Sequence, residues 1–249
     1  MLAFRLEVQK ARRRRYWLMA LALAAGQGLW LAWGVSRYRA EQLLQGYASA
    51  LQQFPMLNTI VMPVLIAVLV SRMCDMEHCG RTFKQLFTMQ RPAALFNAKL
   101  ALCAAYLAAV TLLQGAVILL VGRLRGFLDA PPAEHFAYFL LSQFSVGLLL
   151  AALLQGIALR FHNQFVTLAA GLALGFLGLM CGFFPPAVQR LTPVAYYLRL
   201  ETIGYTWDGA AQVSAYFSLP FSWADYALLW AMLGAVYALG RGAFVRREV

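Results

Sequence analysis

Charged and polar side chains are concentrated in one stretch of the chain, Asp75 to Lys99, which lies between two long apolar segments. Glu77, Arg81 and Lys84 belong to this stretch. Carboxylate, guanidinium and ammonium groups form ion pairs and charge-assisted hydrogen bonds with a protein partner, or contact lipid headgroups. We therefore expect this stretch to bind a partner outside the apolar part of the molecule.

Metal binding is a second chemistry that this region suggests, because Cys74, His78 and Cys79 lie close together in sequence. Their spacing matches no common zinc pattern, and a fourth ligand is missing. The sequence therefore predicts no metal site. The four cysteines of the chain also imply no disulfide framework.

The polar stretch carries a helical pattern of apolar residues. They recur at steps of three and four, at Met76, Cys79, Phe83, Leu86 and Phe87. This pattern predicts an amphipathic helix that is too short and too polar to span a membrane. We expect it to end before Pro92, with a second short run leading into the next apolar segment. A solvated connector is the alternative, but connectors of two to six residues are more common.

The elements around this stretch are membrane spans. The chain has 249 residues, 62% of them hydrophobic and 12% charged, which excludes an ordinary soluble domain. A spanning helix needs roughly 20 apolar residues. The continuous Leu- and Ala-rich runs argue against a β-barrel, so we predict an all-α membrane protein with a single transmembrane domain. Its six predicted spans cover residues 16–36, 55–71, 100–122, 136–159, 165–184 and 221–240.

The distribution of charge predicts the orientation of these spans. With both termini in the cytosol, the cytosolic segments would hold fifteen Lys and Arg against four acids, and the outer segments six against six. The cytosolic excess then equals the whole formal net charge of +11. This is the positive-inside pattern, so the basic composition requires no nucleic-acid partner.

The amino-terminal arm, residues 1–15, is predicted to be a helix on the cytosolic membrane surface. Phe4, Val8 and Ala11 fall on one face at helical spacing, and the remaining faces are rich in arginine. The alternative is a simple cluster of positive charge that keeps the amino terminus inside. That alternative does not explain the apolar face.

The predicted spans have two further features. Gly171, Gly175, Gly178 and Gly182 form a narrow ridge on the fifth span, which predicts close helix packing inside the protein or between two copies. No acid or base lies at mid-depth, which argues against ion-coupled transport and suits an amphipathic or lipid-like cargo. The central polar groups are neutral, and for the glutamines we favour interhelical hydrogen bonds over cargo contact. These groups are Gln27, Thr111, Gln114, Ser142, Gln143, Ser145 and Gln155.

Two short motifs resemble those of ABC-2 type transporter permeases. The first follows the order Glu77, Gly80, Thr82, Phe83, Lys84, Leu86, Arg91 and Lys99 between the second and third spans. The second is Glu7, Lys10 and Arg13, similar to the E-x-x-K-x-x-R start of that family. Two positions depart from the family pattern. The pattern often has a proline near the position before the arginine, whereas here Gln90 precedes Arg91 and the proline, Pro92, follows it. Cys79 stands where the family frequently has Asn.

The resemblance implies the ABC-2, or type V exporter, fold in a bacterial cytoplasmic membrane. Residues 75–99 would include a coupling helix that docks on a dimer of separate ABC ATPase subunits, with the amino-terminal helix beside it. Glu77 would anchor this contact by capping the helix or by pairing with a basic residue of the ATPase. Gly80, Arg81, Thr82, Phe83 and Lys84 would complete the docking motif.

The resemblance also implies the rest of the assembly. A second permease chain, identical or homologous, would complete the transporter, and residues 185–220 would form short external or re-entrant helices at the outer exit. The chain has no G-x-x-x-x-G-K-[ST] loop, so ATP and Mg²⁺ are expected on the ATPase and no cofactor on this chain. The layout looks most like permeases of lantibiotic immunity exporters, whose cargo is a membrane-active peptide; a lipid or a drug is the other cargo expected.

Two other functions fit the composition. A structural or assembly membrane protein would need no ATPase. A small multispan membrane enzyme would need a catalytic cluster, and the sequence contains neither H-E-x-x-H nor G-x-S-x-G.

Overall fold

Six helices in the described parts of the chain are long and apolar enough to cross a membrane, as the sequence predicts. The computed structural model describes residues 2–12, 14–79, 91–208 and 213–246. Its helices are α1 (Leu2–Arg12), α2 (Trp17–Val35), α3 (Ala40–Leu43), α4 (Gly46–Cys79), α5 (Pro92–Arg125), α6 (Ala133–Arg160), α7 (Gln164–Met180), α8 (Pro186–Leu191), α9 (Tyr196–Arg199) and α10 (Trp223–Val245). The candidate spans are α2, α4, α5, α6, α7 and α10.

Two of these helices are longer than the apolar spans that the sequence predicts. Helix α4 begins at Gly46 and continues through the polar residues that follow the apolar run, as far as Cys79. Helix α5 begins at Pro92, in the first-turn position where the missing N–H of proline is tolerated, and runs without a break to Arg125. The short run after Pro92 is therefore the start of the spanning helix and not a separate element.

The core of the bundle forms around α4, which packs along α7 and α6 and also touches α2 and α5. Met62 and Ile66 of α4 and Leu149 and Leu150 of α6 are fully buried. Helix α10 packs against the other side of α6. The helices that flank residues 80–90 thus belong to one packed bundle.

Residues 185–220 contain a β-hairpin that the all-α prediction did not include. Strands β1 (Ile203–Asp208) and β2 (Val213–Ser218) pair antiparallel, with Ile203 opposite Ser218 and Asp208 opposite Val213. The alternation of Ile203, Tyr205 and Trp207 favours a strand, because branched and aromatic side chains at every second position suit a pleated surface. The short helices α8 and α9 precede the hairpin.

Ion pairs hold α8 and α9 to α10. Arg199 of α9 lies 2.6 Å from Asp225 in the first turn of α10, and Nε of Arg190 lies 3.4 Å from the same carboxylate. The side-chain amide of Gln45 both donates to and accepts from the backbone of Tyr216 in β2. The hydrogen bonds of Gln45 fix the hairpin to the chain directly before α4.

Candidate functional site: a buried ion cluster

Four charged side chains meet at the end of the bundle where residues 80–90 connect α4 to α5. Glu7 and Lys10 are one turn apart on α1, Glu77 lies in the last turn of α4, and Lys99 lies two turns into α5. We call these four residues the ion cluster. It joins the amino-terminal helix to both helices that flank residues 80–90.

Each carboxylate of the ion cluster contacts both ammonium groups. Nζ of Lys99 lies 2.9 Å from Oε2 of Glu7 and 2.8 Å from Oε2 of Glu77. Nζ of Lys10 lies 2.8 Å from Oε1 of Glu7 and 2.9 Å from Oε1 of Glu77. The result is a closed ring of two positive and two negative charges.

Three members of the ion cluster are almost completely shielded from solvent. The exposed fractions of the side chains are 2% for Glu7, 1% for Glu77 and 1% for Lys99, against 33% for Lys10. Lys99 also donates a hydrogen bond of 2.7 Å to the carbonyl oxygen of Met73. Buried ions are tolerated only when they are paired and hydrogen-bonded, and this neutral ring meets that condition.

The two members on α1 stay ionised over the physiological pH range. Burial raises the pKa of Glu7, but attraction to Lys99 and hydrogen bonds from Lys10 and Lys99 outweigh it and hold the pKa below its usual value. Burial lowers the pKa of Lys10, but its bonds to Glu7 and Glu77 outweigh that effect and raise the pKa. Both shifts favour the charged forms that the ring needs.

The face of α1 that packs against the protein carries a carboxylate. Glu7 and Ala11 are buried against the protein, whereas Phe4 and Val8 are each 40% exposed. Lysines on α1 and α5 compensate the charge of Glu7, so a carboxylate takes the inward position. The apolar side chains face outward, where a membrane surface would be available to them.

The structure places Glu77 inside the protein rather than at its surface. The sequence interpretation has its carboxylate cap the helix or pair with a basic residue of an ATPase. In the structure the carboxylate pairs with Lys10 and Lys99 of its own chain. The other predicted docking residues, Gly80, Arg81, Thr82, Phe83 and Lys84, lie outside the described residues, as does Arg13 of the amino-terminal motif.

The glycine ridge of α7 packs within the chain. A Cβ atom added at Gly171 would meet Ala67 and the carbonyl oxygen of Pro63, one at Gly175 would lie 2.8 Å from the carbonyl oxygen of Ile60, and one at Gly178 would collide with the carbonyl group of Thr59. These glycines let α7 approach the backbone of α4. Gly182 does not belong to this ridge, because it lies beyond the end of α7 in the 3₁₀ turn Cys181–Phe183, and nothing lies within 4 Å of an added Cβ atom there.

A cluster of side-chain amides lies in the interior of the bundle, where α2, α4, α5 and α6 meet. The amide oxygen of Asn58 accepts hydrogen bonds from Gln27 at 2.7 Å and Gln114 at 3.0 Å. Its NH₂ group donates to Gln143 at 2.7 Å and to Gln114 at 3.3 Å. The prediction of interhelical hydrogen bonds for these three glutamines is thus confirmed. Asn58, which uses all its bonding capacity, was not among the residues singled out in the sequence.

Replacing Asn58 with leucine is expected to lower the free energy of unfolding by about 1–3 kcal/mol, because it removes the hydrogen bonds that three buried glutamines make to Asn58. Ser142→Ala is the matched control. Its hydroxyl is also buried, but among the described residues it bonds only to the carbonyl oxygen of Phe139 in its own helix, so we expect a loss below about 1 kcal/mol. Thermal unfolding in a mild detergent measures both. Equal losses would show that the amide cluster does not tie the helices together.

Comparison with known proteins agrees with this architecture. The family profile described as ABC-2 family transporter protein matches residues 3–182, which include the ion cluster, the amide cluster and five of the six candidate spans. A comparison with curated proteins gave no significant match. The profile covers well over half of the chain, and the chain therefore belongs to the ABC-2 family of membrane transporter proteins.

Proposed function

We propose that this chain is the permease subunit of an ATP-driven exporter that moves a membrane-active amphipathic cargo out of the membrane. Its energy comes from separate ATPase subunits, which carry ATP and Mg²⁺ and dock on residues 75–91. A second permease chain, identical or homologous, completes the transporter. The protein lies in a bacterial cytoplasmic membrane with both termini in the cytosol.

The observation that carries this proposal is the position of the ion cluster. Glu77 lies three residues before residue 80, and Lys99 lies nine residues after residue 90. The ion cluster therefore holds together the end of α4 and the beginning of α5, which flank residues 80–90. A docking segment transmits force only if its ends are held by rigid elements. The buried ring, braced by α1, supplies such a support for residues 80–90.

The neutral polar groups inside the bundle support the proposal of an amphipathic cargo. In the described spans, the Asp, Glu, Lys and Arg residues lie towards the ends of the helices, as Lys99 and Asp225 do. The central polar groups include the neutral amides of the amide cluster. Proton- and ion-coupled carriers keep charged groups at mid-depth, whereas a neutral interior suits energy input from another subunit.

Affinity purification of the full-length chain from its native membrane tests the ATPase partnership. We expect a protein with a G-x-x-x-x-G-K-[ST] loop to accompany the wild type at a stoichiometric ratio and to give the complex ATPase activity. The double variant Phe83→Ala, Lys84→Glu should lose this partner while α1 and the spans stay folded. Arg125→Gln, at the opposite end of α5, is the matched charge control and should retain it.

Variants of Glu77 are less suitable for this test. Glu77→Lys would place a third ammonium group beside Lys10 and Lys99 and would disturb the fold itself. Absence of an ATP-hydrolysing partner from the wild-type complex would contradict the proposal and favour a structural or assembly protein. Retention of the partner by the double variant would move the docking surface away from residues 83 and 84.

The finer proposal concerns the cargo. A lantibiotic is a membrane-active amphipathic peptide, so cells that express the complete transporter should survive higher lantibiotic concentrations. Sensitivity to an antibiotic that acts in the cytosol should not change. Equal sensitivity with and without the chain would exclude lantibiotic export and leave a lipid or drug as the cargo class.

A further inference from the structure

A narrow groove lies between α6 and α10, at the same end of the bundle as the ion cluster. Its volume is about 250 Å³, and the residues that matter to its shape are Ala152, Gly156, Ile157, Arg160, Val236 and Gly240. All but Arg160 are apolar or lack a side chain. The groove opens sideways, where Leu239 on its rim is 74% exposed.

The groove exists because two glycines face each other across its floor. A Cβ atom added at Gly156 would lie 3.7 Å from the Cα atom of Gly240, and one at Gly240 would lie 3.5 Å from the ring of Phe96. These are ordinary van der Waals distances, so alanine fits at either position. A longer side chain would project into the groove and fill it.

The shape and lining of the groove suit an extended hydrocarbon chain. From Ala152 to Arg160 the helix rises about 12 Å, and the side chains that line this length before Arg160 are apolar. A length of about 12 Å covers most of one leaflet of a core about 30 Å thick, so an acyl chain can lie along the groove.

The positive charge at one end of the groove indicates which lipid headgroup would bind there. Arg160 lies in the last turn of α6, is exposed, and makes no hydrogen bond or ion pair within the described ranges. Arg241 follows directly after Gly240 on the facing helix. The acids of these two helices, Glu134 and Asp225, lie in their first turns at the opposite end of the bundle.

We propose that this groove binds an anionic phospholipid, with one acyl chain over Gly156 and Gly240 and the phosphate group at Arg160. Basic grooves between spanning helices on the cytosolic side are suited to acidic headgroups, because the guanidinium forms bidentate bonds with phosphate oxygens. The site does not depend on an ATPase or on the exported cargo. It would stabilise the pairing of α6 with α10 beside the ion cluster.

Thermal unfolding of the purified full-length chain in a mild detergent tests the proposal. Dioleoyl-phosphatidylglycerol should raise the Tm by roughly 5–10 °C at a hundredfold excess over its Kd, and dioleoyl-phosphatidylcholine should raise it much less. Native mass spectrometry should detect one retained phosphatidylglycerol per chain. Arg160→Gln should abolish the difference between the two lipids.

Matched variants separate the groove from general lipid contact. Gly156→Leu should fill the groove and lose the retained lipid, whereas Gly156→Ala should keep it, and both should remain monodisperse. Arg123→Gln, at the other end of the bundle, should keep the full preference for phosphatidylglycerol. An equal response to both lipids, or an unchanged response in Arg160→Gln, would overturn the proposal. An equal Tm rise with inorganic phosphate alone would replace the lipid site with a simple anion site.

Discussion

Lys99→Met is expected to lower the free energy of unfolding by about 3–5 kcal/mol, the range for breaking a buried ion pair by removing one partner. The variant leaves the carboxylates of Glu7 and Glu77 beside Lys10 alone, so a net negative charge stays buried. Methionine has a similar length and fills the same space, which isolates the loss of charge from a loss of packing. Denaturant titration or thermal unfolding in detergent measures the effect, and limited proteolysis should show α1 released first.

Two further variants show whether burial sets the size of this effect. Lys10→Met removes the same charge from a position that is 33% exposed, where water can enter and hydrate the carboxylate oxygens that Lys10 contacts, so its cost should be clearly smaller. The triple variant Glu7→Gln, Glu77→Gln, Lys99→Met removes the buried charges together and should recover much of the stability. Equal losses for Lys99→Met and Lys10→Met would contradict the closed, buried ring.

The long apolar runs were sufficient to predict the six spans, because spanning helices need continuous hydrophobic sequence. Hydropathy did not predict where α4 ends. That helix continues to Cys79 through polar residues, and the ion cluster accounts for this by neutralising Glu77 within the fold. The hairpin of Ile203–Asp208 and Val213–Ser218 was missed because its short alternating pattern lies inside an aromatic segment that also suits a membrane interface.

The members of the ion cluster were named from the two motifs, but their mutual contact was not predicted. Helical periodicity relates residues within one helix. The contacts of the ring join Lys10 to Glu77 and Glu7 to Lys99, which are 67 and 92 residues apart. A charged residue beside a polar stretch is ordinarily assigned to the surface, and only the fold shows that opposite charges from other helices allow its burial. Asn58 escaped notice for the same reason, since its partners lie on three other helices.

Gly178→Ala is expected to lower the free energy of unfolding by about 2–3 kcal/mol, although it adds only one methyl group to a spanning helix. The new Cβ atom would collide with the carbonyl oxygen of Thr59 in α4 and lie 3.0 Å from Cγ2 of Val194. The Thr59 carbonyl is backbone, so it cannot turn aside as a side chain would, and α7 must move away from α4 instead. Thermal unfolding in detergent should show the loss.

Gly182→Ala is the control, four residues further along in the 3₁₀ turn that follows α7. Nothing lies within 4 Å of an added Cβ atom at Gly182, so the substitution should change stability by no more than about 0.5 kcal/mol. The contrast tests how these glycines are used, because a surface facing a second copy of the chain would make Gly182 as sensitive as Gly178 in the assembled transporter. A large effect of Gly182→Ala on assembly, with little effect on the isolated chain, would therefore assign this turn to a contact between permease chains.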